Sequence, residues 1–141
     1  MKILLTGATG FVGTAVRHEL KAKGHEVRAL VRVPSVGRID AREGIEVLAG
    51  DVLDTHACLR AVKDCDAVVH MVGIRRERPQ EGITYEALHT EATYAVVDAA
   101  KRSGVEMPIA TEVAQVLFAG KMPQQALRDL MERELKSEQW R

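Results

Sequence analysis

The sequence predicts an alternating α/β fold: a parallel sheet of about four strands in the order 3-2-1-4, helices on both faces, and a C-terminal helical pair. Three observations carry this. Short apolar runs at 2–6, 26–32, 45–49 and 66–72 alternate with segments of helical periodicity, the pattern of right-handed β-α-β crossovers. A glycine-punctuated turn, Gly7-x-x-Gly10-x-x-Gly13, follows the first run directly. The chain of 141 residues is long enough for one domain with a real core, and short for a second domain of similar size.

The first apolar run, Lys2 to Thr6, enters the glycine turn, and Phe11 to Lys23 follows as a helix with Val12, Ala15, Val16 and Leu20 on one face. The spacing of the glycines has a physical logic. Gly7 permits a tight turn, Gly10 lets backbone approach a pyrophosphate, and Gly13 lets the helix pack closely against the strand. An anionic phosphate there would meet the free N–H groups and positive dipole end of the helix that starts near Phe11. Gly24 ends this helix.

Glu26 to Arg32 is the second strand, and its end is informative. An acidic residue at that position takes the ribose 2′-hydroxyl of NAD, whereas an arginine accommodates the 2′-phosphate of NADP. This sequence has Arg32, with Arg38 nearby to assist, so NADP is expected over NAD. Ile45 to Ala49 is the third strand, and Asp54 or Thr55 caps a helix running to Val62. Asp66 to Val72 is the fourth strand. A long helix is expected from Gly82 to Arg102, with Tyr85, Leu88, Ala92, Val96 and Ala99 on one face and Gly104 as its stop.

Residues 1 to about 105 resemble the N-terminal half of an extended or atypical short-chain dehydrogenase/reductase, in the branch similar to the NAD(P)-binding subunit of respiratory complex I and to sugar-nucleotide epimerases. The resemblance rests on Thr6-Gly7-Ala8-Thr9-Gly10-Phe11-Val12-Gly13, Ala29-Leu30-Val31-Arg32, Gly50-Asp51-Val52, Val68-Val69-His70-Met71-Val72-Gly73 and Asp98-Ala99-Ala100-Lys101. It implies a Rossmann-like sheet in which Gly7, Thr9, Gly10, Phe11 and Val12 contact the cofactor phosphates. It places Arg32 at the adenosine ribose or its phosphate, Asp51 and Val52 at the adenine edge, and Val72 with Gly73 at the nicotinamide-side ribose.

After Gly104 the chain departs from that family. A Tyr-x-x-x-Lys pair, in which lysine lowers the tyrosine pKa for acid–base work, is absent: Tyr85 is followed four residues on by His89, and Tyr94 by Asp98. Both tyrosines read as helix-face residues, and no catalytic residue is assigned. Two amphipathic patterns follow. Ile109, Val113, Val116 and Leu117 share one face behind Pro108, and Leu127, Leu130, Met131 and Leu135 are the apolar positions between Gln124 and Lys136. This tail resembles the extreme C-terminus of bacterial NAD(P)-dependent glycerol-3-phosphate dehydrogenase, through Gly104-Val105-Glu106-Met107-Pro108-Ile109 and Leu130-Met131-Glu132-Arg133-Glu134-Leu135-Lys136. The two resemblances meet near 101–105, where both parents could read Ala-Lys-x-x-Gly-Val. That junction suggests a chimera, with a natural truncated paralogue as the alternative. The expected organisation is a partial nucleotide-binding unit over 1–105 and a helical segment over 106–141.

Lys plus Arg equals Asp plus Glu, at 20 each, so no net field gathers nucleic acid or an anionic membrane. The run Arg75, Arg76, Arg78 has no interleaved aromatics and reads as a solvated loop. No transmembrane run or leader is evident, and Cys58 and Cys65 read as free thiols, together pointing to a cytoplasmic protein. His18, His25, His56, His70 and His89 show no metal spacing, so no metal is expected. The expected function is a nucleotide-binding module without catalytic activity, which holds NADP or only its ADP part. A homodimer through the tail helices or the sheet edge is expected as well. Two alternatives stand beside it: an NADP-dependent oxidoreductase or epimerase-like enzyme, and a fragment product that binds nothing.

Overall fold

The computed structural model describes residues 1–105 and 107–132. Strands β1 (Lys2–Thr6), β2 (Glu26–Val31), β3 (Glu46–Ala49) and β4 (Ala67–His70) form one sheet, ordered β3-β2-β1-β4. Every pairing is parallel. The crossovers are α1 (Phe11–Ala22) between β1 and β2, and α2 (Thr55–Val62) between β3 and β4, with α3 (Ala92–Arg102) after β4. The chain divides into two compact units, Met1–Glu106 and Met107–Arg141.

The period of two along each strand sorts the sheet's faces. Leu5, Val27, Ala29 and Val31 meet Ala8 and Ile39 in one core, with Val16 and Leu20 of α1 packed against it. On the opposite face Arg28 reaches the carbonyls of Ala61 and Lys63 at the end of α2, at 3.0 and 2.5 Å. Ala57, Ala61, Ala92, Ala99 and Ala100 are buried on α2 and α3; such small residues let two helices approach each other closely.

Two expectations are corrected. Helix α1 does not bury Val12 and Ala15: Val12 is 53% exposed and Ala15 is exposed, while Gly13 and Arg17 are buried. The helix seats its glycine on the turn before it, which rotates Val16, Arg17 and Leu20 inward. Regular helix does not run from Gly82 either. Gly82 sits at φ +70° in a turn, Arg78 and Ile83 form an antiparallel bridge, and helical backbone begins at Tyr85. Its first turns, Glu86–Glu91, are π-helical before α3 begins. The β2–β3 connector also carries two unforeseen 3₁₀ turns, Val33–Arg38 and Ala41–Glu43. Asp54 does cap α2, accepting from His56 N at 2.9 Å.

Cys58 and Cys65 are free and buried, and burial pushes the Cys58 thiol up to about 11. In the second unit α4 (Pro108–Phe118) and α5 (Pro123–Glu132) are tied by Lys121, which pairs with Glu112 and, at 2.6 Å, with Asp129. Ile109, Val113, Leu117, Leu127 and Met131 are exposed on these helices. The tail positions Leu135 and Lys136 lie outside the described residues.

Candidate functional site

The glycine turn is built by backbone contact. Gly7 has φ +72°, and a Cβ there would come within 2.7 Å of the Met71 carbonyl. A Cβ on Gly13 would stand 2.0 Å from the Gly7 oxygen, so α1 and the turn touch main chain to main chain. Gly10 is the least confined of the three, with its nearest contact at 3.3 Å. It is the N-cap of α1 in extended geometry, and no side chain caps the helix. The first-turn N–H groups are therefore left for an acceptor from outside the helix.

Three more loops converge at the same end of the sheet, the carboxyl ends of the strands, where open α/β sheets bind ligands. After β2, Arg32 turns the chain into the 3₁₀ segment through Ser35 N–H donating to its carbonyl at 2.8 Å. After β3, Asp51 Oδ1 accepts from Leu53 N at 3.0 Å, which fixes the turn and buries Val52. After β4, the chain leaves through Val72, Gly73 and Ile74. Gly73 is held against His89, whose Cε1 would lie 2.9 Å from a Cβ at that position. His89 Nε2 stands 3.1 Å from Ile74 N and 3.0 Å from Ile74 O. Tyr85 donates its hydroxyl to the Arg75 carbonyl at 2.9 Å, and its N–H to Glu77 Oε1 at 2.7 Å.

These loops enclose one cleft of about 260 Å³. Of the sequence-predicted residues it is lined by Gly7, Thr9, Gly10, Arg32, Asp51, Val52, Val72 and Gly73. Phe11 and Val12 instead border a shallow depression on the outer side of the helix start, with Phe11 98% exposed. Gly13 lies behind the loop in the packed layer. Sequence reasoning did not single out Ser35, Leu88 or Ile74, which also line the cleft beside Arg38. Arg38 was noted only as an assistant. Ser35 and Arg38 reach it because the 3₁₀ turn folds them back beside Arg32, which no strand or helix periodicity announces. Among the described residues, Arg32 and Arg38 form no ion pair. Beneath the floor, Thr6 Oγ1 and His70 Nδ1 are 2.6 Å apart. Burial, and then the nearby His89, hold His70 below the usual imidazole range.

A sequence profile described as NAD(P)H-binding matches residues 7–140. This chain belongs to the NAD(P)H-binding family. Within that family's range it is similar to the 3-diazoavenalumate denitrifying reductase of a Streptomyces species, 37% identical over 120 residues that cover 81% of this chain and 38% of the relative. It is also similar to the 3 beta-hydroxysteroid dehydrogenase/Delta 5-->4-isomerase of Mycobacterium tuberculosis, 31% identical over 125 residues covering 84% and 33%. Among solved structures it is similar to a short-chain dehydrogenase/reductase superfamily protein from Agrobacterium tumefaciens with bound NAD. There the TM-score is 0.61 at 29% identity, over 75% of this chain and 30% of that one. The NAD(P)H-binding chain thus spans about a third of the length of these relatives. It is an NAD(P)-binding domain of the short-chain dehydrogenase and epimerase type, with the Rossmann-like sheet of that group. Among the described residues, no helix is long and apolar enough to cross a membrane.

Proposed function

We propose that the chain is a nucleotide-binding module that takes NADP in preference to NAD, holds chiefly its ADP part, and has no catalytic apparatus of its own. The carrying observation is the convergence of Gly7, Thr9, Gly10, Arg32, Ser35, Arg38, Asp51 and Val52 on one cleft. The residues fit such a ligand. The glycine turn leaves no room for side chains at Gly7, and the uncapped helix start offers N–H groups to the phosphates. Phe11 and Val12 take part through their backbone in this reading. Among the described residues, Arg32 and Arg38 line the same cleft without carboxylate partners, as a ribose 2′-phosphate requires. Asp51 and Val52 border the adenine and Val72 with Gly73 the nicotinamide-side ribose. When bound, the nicotinamide would supply hydride transfer. A cleft of about 260 Å³ falls below the usual range of roughly 300–1,000 Å³ for ligand pockets, which favours partial occupancy.

The relatives named reductase and dehydrogenase support a second reading, in which a site of this kind serves an oxidoreductase. The division of the chain at Glu106 and Met107 supports a chimera joined near 101–105, whereas the family match through residue 140 supports a single origin. Exposed apolar side chains on α4 and α5 support self-association, and buried free thiols suit a reducing cytoplasm.

Calorimetric titration of NADP⁺, NAD⁺ and ADP into the purified chain, with light scattering for its mass, tests the reading. Saturable binding that is tightest for the 2′-phosphorylated form supports it. No binding by a cooperatively folded protein overturns it. Hydride transfer by the chain alone would move the assignment to the oxidoreductase.

A further inference from the structure

Arg17 lies on the buried face of α1 and is 4% exposed, a position a guanidinium holds only when its charge and donors are matched. Its Nη1 donates to the Ala8 carbonyl in the glycine turn at 3.2 Å. Its Nη2 donates to Glu43 Oε1 at 3.2 Å, and its Nε stands 2.9 Å from Glu43 Oε2. Glu43 faces two further groups. Its Oε1 accepts from Asp40 N at 3.2 Å, closing a capping box, and His18 Nε2 is 3.4 Å from its Oε2.

One side chain therefore ties together two stretches distant in sequence. The glycine turn forms the phosphate end of the cleft, and the connector that ends at Glu43 and Gly44 supplies Ser35 and Arg38 to the ribose end. Carbonyl and following N–H point in opposite directions across a trans peptide. Holding the Ala8 carbonyl toward Arg17 thus turns the Thr9 N–H the other way, and Thr9 lines the cleft. Val36 and Ile39 pack the connector onto the core, and its polar ties to α1 are the Glu43 carboxylate on Arg17 and the Gly44 carbonyl, which accepts from Lys21 Nζ at 3.1 Å.

We propose that Arg17 and Glu43 are positioning residues for the nucleotide. They lock the phosphate turn to the ribose-side connector, so that order at one end of the cleft is transmitted to the other, and they sustain the preference for a 2′-phosphorylated dinucleotide. The specificity part rests on the nucleotide-binding reading above; the mechanical lock does not.

Glu43→Gln is the informative variant. Glutamine still serves a capping box at this position, but its amide NH₂ sets a donor against Arg17 Nε. Amide hydrogen exchange is measured first on the nucleotide-free chain, followed by titration with NADP⁺ and NAD⁺. The expected result is faster exchange at Thr9, Gly10 and residues 38–44, with the amides of β1 and β2 unchanged. NADP⁺ affinity should fall about tenfold, within the usual range of coupling between sites, and NAD⁺ affinity clearly less. Combining Arg17→Met with Glu43→Gln should reduce the NADP⁺/NAD⁺ ratio no further than Glu43→Gln alone. Uniform loss of protection across the sheet, or equal loss for both nucleotides, makes the pair merely structural and overturns the proposal. Wild-type protein that binds neither nucleotide overturns the cofactor reading and the specificity role with it. An unchanged exchange pattern at Thr9 and Gly10 overturns the lock itself.

Discussion

Gly13 of α1 sits directly on Gly7 of the turn, so close that a Cβ at 13 would lie 2.0 Å from the Gly7 oxygen and 2.8 Å from its carbonyl carbon. Backbone cannot yield as a side-chain tip can. Gly13→Ala should therefore destabilise the protein by about 2–3 kcal/mol through overpacking, although alanine gains roughly 1 kcal/mol of helix propensity. Urea denaturation measures the balance, and a variant more stable than wild type would refute the packing assigned to Gly13.

Gly10 offers the contrasting case. Its φ of −78° and ψ of 171° suit any residue, and a Cβ would meet only the Gly7 oxygen, at 3.3 Å. Gly10→Asp should keep its fold, since aspartate is a favoured N-cap. It should lower nucleotide affinity by more than about tenfold, because a carboxylate would stand where phosphate approaches the helix terminus. Equal NADP⁺ binding by wild type and variant in calorimetry would remove the glycine turn from the site.

His70 is half-buried, and desolvation first and then His89 hold it below the ordinary imidazole value. Its unfolded value is the ordinary one, about 6.5, so the unfolded chain binds more protons in the window below it. Stability rises with pH across that window and is lost as pH falls through 6.5 toward the lower folded value. Thermal melting from pH 8 to 5 should show this decline, and His70→Gln should flatten it. A variant with the same slope as wild type would assign the decline to another group.

Arg28 is 7% exposed in β2 and donates to the Ala61 and Lys63 carbonyls while it pairs with Glu46 at 3.0 Å. Arg28→Met leaves the end of α2 without these donors, at an expected cost of about 2–3 kcal/mol. Glu46 is held below the usual carboxylate range by Arg28 first and then by Lys2. Its stabilisation is present above about pH 4.5 and lost as pH falls through the lower folded value. Denaturation curves at pH 7 and pH 3 should differ less for Glu46→Gln than for wild type.

Much of this architecture was legible in local patterns. The apolar runs that became β1 to β4, the glycine stops at 24 and 104 and the Asp54 cap each depend on residues within one element or turn. The expected strand order 3-2-1-4 is the one found, and crossover handedness then sets the face of the sheet on which each helix lies. Most residues expected to hold the nucleotide lie on the turns that leave these strands, so Gly7, Gly10, Arg32, Asp51 and Gly73 meet at one end of the sheet.

What escaped was what depends on partners far along the chain. Periodicity turned Val12 and Ala15 inward, yet Arg17 took the buried face, where Ala8 and Glu43 accept from its two Nη atoms and the Glu43 carboxylate balances its charge. Ser35 reached the cleft by a 3₁₀ turn, and the π-helical turns of 86–91 follow a loop tethered by Tyr85 and His89. By itself the sequence determined the four strands, the glycine turn and the ends of the crossover helices, because backbone propensity and side-chain period are short-range. Only the tertiary structure decided which polar groups are buried and which loops share a cleft, because the cost of burying a charge is set by the partner that arrives from another part of the chain.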